Sequence, residues 1–196
     1  MQLAFAMGDH ASDASVRRSL ATLLTANLES PYIRQAVVRA VAGEELLFLR
    51  EYLGSEHLGA VSEAARTALS SLASGAYRSL RGDITSGESA NPALLELLAL
   101  AESRSNDNAW QQMAMLEGMK SVAASTDFVP AVLEASPEIF SDGSISEQDP
   151  LWEARMRGRA AFTWPGDELA LGIMPLSPGQ LEGMALGERF YLQCGT

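Results

Sequence analysis

Cysteine occurs once in these 196 residues, at Cys194. That excludes an internal disulfide and any multi-cysteine zinc site. Lysine also occurs once, at Lys120, and all basic residues total 14 against 25 acids. The net charge of -11 argues against nucleic acid, which needs a basic face, and against an anionic membrane surface. The preference for arginine points to a GC-rich genome more than to a function. Histidine occurs only at His10 and His57. Neither has a second imidazole one helical turn away, so both read as surface residues near loops rather than as metal ligands or bases. Aromatics are few, at 7%. No apolar run reaches the ~18 residues of a membrane-spanning helix. The opening "MQLAFAMGDH" lacks a basic n-region, and its apolar part is too short for a secretory signal. It reads as the tail of a helix stopped at Gly8, whose start lies upstream unless Met1 is a native start.

Alanine and leucine dominate, and both are strong helix formers. Apolar spacing near 3.6 recurs, and no segment alternates with period two, which predicts an all-α fold. In "SDASVRRSLATLLTANLES", Ser12 or Asp13 caps a helix whose stripe is Val16, Leu20, Leu23, Leu24 and Leu28. Arg17 and Arg18 lie off that stripe. In "SPYIRQAVVRAVAG", Ser30 is the cap and Pro31 the first helical residue. Ile33, Val37 and Val41 face inward, and Gly43 ends the helix. "EELLFLREYLG" and "VSEAARTALSSLASGAYRSLRG" continue the pattern, the latter through Val61, Ala65, Ala68, Leu69 and Leu72. After the turn-rich "GDITSGESANP" come the helices of "NPALLELLALAES" and "NAWQQMAMLEGMKSVAA". "DFVPAVLEASPEIF" reads as a short, proline-broken helical piece.

The character changes at Ser141. "SDGSISEQDP" is polar linker, "LWEARMRGRAAF" is helical, and the proline-rich "TWPGDELALGIMPLSPGQ" is extended and irregular. A terminal helix opens at Ser177 and Pro178. Residues 141–180 are expected to be the most irregular part. Paired short helices of this size match HEAT and armadillo units of roughly 40 residues. The expected architecture is therefore an all-α, HEAT-like short solenoid over 1–140, a linker over 141–176 and a terminal helical segment over 177–196. An irregular helical bundle is the competing arrangement.

Few side chains suggest chemistry. Glu44 with Glu45, and Glu96 with Glu102, are paired carboxylates only by chance in so acidic a chain, and read as solvated faces. There is no nucleophile elbow and no phosphate loop, and the tripeptide "RGD" at 81–83 carries almost no weight. Trp110, Met113, Met115 and Met119 hold helical spacing and read as core. No catalytic residue and no metal ligand is predicted.

Cys194 has a more specific context. In "LSPGQLEGMALGERFYLQCGT", a capped helix carries Gly187, then Tyr191 four residues on, then Cys194. Cys194-Gly195-Thr196 supplies the first cysteine and both spacers of Cys-x-x-Cys-His, the attachment motif of c-type haem. This stretch resembles the first helix of a class I cytochrome c domain, with the motif expected to continue past Thr196. Together with "VRRSLATLL", "SPYIRQAVVRA" and "WPGD", it resembles the middle region of large secreted bacterial membrane-bound dehydrogenases common in planctomycetes. Those proteins join a sorbosone-dehydrogenase-like β-propeller to HEAT-like repeats and a cytochrome c domain. The resemblance implies a non-catalytic scaffold in the periplasm or outside the cell. Its partners would be neighbouring domains of the same polypeptide or another protein. It also implies no cofactor in this chain, haem c held through Cys194 in the full-length protein, and a parent that is a PQQ- or haem-dependent dehydrogenase. The alternative is a stand-alone HEAT-like interaction domain.

Overall fold

A computed structural model describes residues 7–54, 61–81, 92–103, 108–123, 130–141 and 149–165. Their elements are α1 (Ala14–Ala26), α2 (Pro31–Ala40), α3 (Glu45–Gly54), α4 (Glu63–Leu80), α5 (Ala93–Glu102) and α6 (Ala109–Ala123). Then follow β1 (Ala131–Val132), α7 (Glu138–Ser141), α8 (Pro150–Arg159) and β2 (Phe162–Thr163). The fold is all-α; the two strands have two residues each. Among the described residues no helix is long and apolar enough to cross a membrane.

Local chemistry sets the helix starts. Asp13 accepts hydrogen bonds from the Ser15 N–H and hydroxyl, each at 2.7 Å. These bonds hold the exposed Asp13 carboxyl below its usual range. Ser30 caps α2, and Pro31 occupies its first turn, where a missing N–H costs nothing. Ser62 accepts from the Ala65 N–H at 3.1 Å, and Asp149 accepts from the Leu151 N–H at 2.8 Å. Each bond satisfies one of the donors a helix start leaves open. Past α2, Gly43 takes φ +87°, a left-handed conformation that favours glycine.

The longest helix, α4, is the hub: it meets α2, α3, α5 and α6, and α6 in turn meets α8. Ala65, Ala68, Leu69, Leu72, Ala73, Ala76 and Tyr77 of α4 are all buried. They join Leu20 and Leu24 of α1, Phe48, Leu49 and Tyr52 of α3, Leu94, Leu97 and Leu98 of α5, and Met115 and Met119 of α6 in one core. Full burial of a leucine or phenylalanine contributes about 2 kcal/mol. The predicted stripes therefore fall on the core side, although Val61 sits ahead of its helix and is exposed. α1 packs on α2.

Two local expectations are corrected, and Arg17 adds a finding of its own. "DFVPAVLEASPEIF" is not one helical piece: Pro130 precedes β1, and helix resumes only at α7. β1 pairs in parallel with β2, Ala131 opposite Phe162. The Ala131 N–H donates to the Ala161 carbonyl at 3.0 Å, and the buried Tyr77 hydroxyl donates to the same oxygen at 2.5 Å. Arg17 lies off the leucine stripe yet is buried. Its guanidinium donates to the Ala11 and Ser12 carbonyls at 3.0 and 2.7 Å, and to Glu51 at 3.0 and 3.1 Å. Glu45 is buried rather than solvated. It accepts from the Gly43 N–H at 2.9 Å and lies against Gly75, where an added Cβ would come within 2.8 Å of its Oε1.

Of the stretch 141–176, the described part 149–165 is packed onto the body. Leu151, Arg155 and Gly158 of α8 are buried, with Gly158 against Leu116 of α6. Phe162 meets Tyr77 edge-on at 5.4 Å, and Phe140 stacks on Trp164 at 6.0 Å. The Arg159 guanidinium lies 5.0 Å from the Trp164 ring centroid. Residues 166–196, with the predicted terminal helix and Cys194, lie outside the described residues.

Candidate functional site

The outward side of α4 forms the floor of a trough. Its wide part, about 410 Å³, lies between α4, α6 and α8 and is lined by Thr67, Ser70, Ser71, Met113 and Ala114 among others. Five charged side chains surround it: Glu63, Arg66, Glu117, Glu153 and Arg157. Glu153 pairs with Arg157, and Glu117 pairs with Lys120 at 3.4 Å. A narrow slot of about 110 Å³ adjoins it between α4 and α2, lined by Pro31, Arg34, Gln35, Val38, Thr67, Ala68 and Ser71. The two parts share Thr67 and Ser71. These residues lie one turn apart on α4, so the slot opens along the same helix face.

Helical periodicity explains the floor. Ala64, Ala68 and Leu72 are buried while Glu63, Thr67 and Ser71 are exposed. α2 lends its Pro31–Arg34–Gln35–Val38 face, which borders the buried Val37 and Val41 stripe. Arg34 is half-buried, and its guanidinium donates to the Leu28 carbonyl at the end of α1. This bond restrains Arg34, one of the residues that line the slot. The Thr67 hydroxyl donates to the Glu63 carbonyl at 2.9 Å.

The sequence-predicted candidates are scattered. His10 is exposed in the turn ahead of α1, and His57 and Cys194 lie outside the described residues. Glu96 pairs across helices with Arg50 at 2.7 Å, both exposed. Trp110, Met115 and Met119 are core, as their spacing predicts, while Met113 reaches the trough. Among the described residues, no three His, Cys, Asp or Glu side chains are grouped to hold a metal ion. Sequence reasoning missed the trough, because its residues come from the polar faces of four helices and share no motif.

Fold and surface thus define an all-α protein with one helix-lined trough among its surface features. Comparison with protein-family models, with curated proteins and with solved structures finds no match.

Proposed function

We propose that this chain is a non-catalytic α-helical scaffold of a secreted multidomain oxidoreductase. It sets a dehydrogenase module beside a c-type haem electron-transfer module that begins near Ser177. The observation that carries the reading is the spacing Gly187, Tyr191, Cys194 in "GERFYLQCGT". In such a motif the Cys194 thiol adds across a haem vinyl group to form one thioether, and the following Cys-His supplies the second thioether and an iron ligand. The interior of α1–α6 supports a structural role. Its buried charged groups Arg17 and Glu45 are occupied with backbone carbonyls and N–H groups rather than turned toward a cleft.

The test is to express this chain, and a version continued along its gene past Thr196, in a host with haem-attachment machinery. The continued version should carry a covalent Soret band and this chain none. Absence of haem from the continued version refutes the reading.

The trough along α4 favours a second reading, a HEAT-like domain that binds a protein partner.

A further inference from the structure

The slot between α2 and α4 differs in charge from the wide trough beside it. In a chain with a net charge of -11, Arg34 is the only charged side chain among the described residues that line it, and none of these is a carboxylate. Its other donors are the Gln35 amide and the Ser71 hydroxyl, both on exposed residues. Pro31, Val38 and Ala68 supply an apolar side. At about 110 Å³, it has room for one side chain and not for a helix. A group that matches it has a short apolar stem and a terminal anion, which is a glutamate side chain.

We propose that the slot binds a glutamate of a partner peptide laid along α4. Its carboxylate would meet the Arg34 guanidinium and the Ser71 hydroxyl, while its methylenes rest on Val38 and Ala68. The rest of the peptide would occupy the wide trough, where Glu63, Glu117 and Glu153 face its flanking residues together with Arg66 and Arg157. Arg34 is preorganised by its bond to Leu28, so little side-chain entropy opposes capture. Charge-assisted bonds of guanidinium to carboxylate are the strong class of hydrogen bond. The long-range repulsion of an acidic chain is screened beyond about 8 Å at physiological salt, so the local charge decides.

This inference rests on the partner-binding reading of the trough, and haem attachment tests the scaffold reading separately. The probe is a fluorescein-labelled peptide of alternating alanine and glutamate, read by anisotropy with the full chain. A control peptide carries glutamine in place of glutamate. The glutamate peptide should bind with a Kd below about 1 mM and weaken as salt is raised. Arg34→Gln should weaken it about tenfold, with the fold checked by circular dichroism. Ser71→Leu fills the slot from an exposed position and leaves Arg34 intact, so it should abolish binding even if Arg34→Gln does not fold. Equal binding of both peptides, binding by neither, or binding unchanged in Ser71→Leu overturns the proposal. Displacement of the peptide by an equal concentration of inorganic phosphate also overturns it, since that marks a general anion site.

Discussion

Gly118 gives the sharpest test of how the helices pack. It stands in the middle of α6 where that helix crosses α4. A Cβ placed on it would sit 2.1 Å from the Ser70 carbonyl oxygen, 2.9 Å from the Ser70 carbonyl carbon and 3.0 Å from its Cα. The first distance is 0.9 Å inside the 3.0 Å that Cβ atoms respect. The obstacle is backbone in the middle of α4, so no rotamer change relieves it. The two helices must separate, and the contacts of Leu116, Met115 and Met119 with the core loosen as they do.

Overpacking of this kind costs about 3 kcal/mol or more when the neighbour cannot yield. Helix propensity acts in the opposite direction, since alanine is favoured over glycine in a helix interior by about 1 kcal/mol. The net expectation for Gly118→Ala is a loss of about 2 kcal/mol or more, or a melting temperature about 6 °C lower for a domain of this size. Gly54→Ala is the control, because no described residue lies within 4 Å of a Cβ there. It should be neutral or slightly stabilising. Gly158→Ala falls between them, since its Cβ would meet the Leu116 side chain at 2.9 and 3.1 Å and that side chain can partly turn away. Urea unfolding followed by circular dichroism ranks the three. Gly118→Ala as stable as the parent, or more so, refutes the close crossing of α4 and α6.

Burial pushes the Tyr77 phenol up to about 12 from an ordinary value of 10.0. Its folded pKa is raised, so its contribution is intact below pH 10 and is lost as pH climbs toward 12. Alkaline unfolding should therefore set in above pH 10 and be shallower in Tyr77→Phe; an identical profile in that variant would show that Tyr77 does not titrate with folding. At neutral pH Tyr77→Phe should cost about 1 kcal/mol, because the Ala161 carbonyl keeps its bond from the Ala131 N–H. Arg17→Met should cost about 3 kcal/mol, since it strands a part-buried Glu51 carboxylate. Adding Glu51→Leu should restore part of that loss, and a double-mutant cycle with no coupling would rule out the ion pair as a unit.

What the sequence makes legible depends on how far away the deciding partner lies. Caps and stripes depend on residues within one or two turns, so Asp13, Ser30 with Pro31, and the Leu20–Leu24 face can be read directly. Arg17 lies off the leucine stripe, and its own helix gives no sign that it is buried. Its burial is decided by Glu51, 34 residues away. Glu45 is buried for the same kind of reason, since the side chain lies against Gly75 of the next helix. β1 gives no periodic signal over two residues, and its pairing partner Phe162 comes after another helix. Gly118 is the extreme case. Within "QQMAMLEGMKSV" it reads as a weak point in a helix, and only the passage of Ser70 makes its missing Cβ a requirement. The trough follows the same logic on the outside of the molecule. Arg34, Ser71 and Arg157 are unremarkable polar-face residues of α2, α4 and α8, Met113 reads as core of α6, and the packing of those helices brings them to one trough. Cys194 is the converse. Its meaning rests wholly on short-range spacing, with Gly187 and Tyr191 before it and two small spacers after. A motif can be read without a fold, whereas a groove cannot. For this chain, therefore, the haem reading is decided by gene sequence and cofactor attachment, and the partner reading by variants at Arg34 and Ser71.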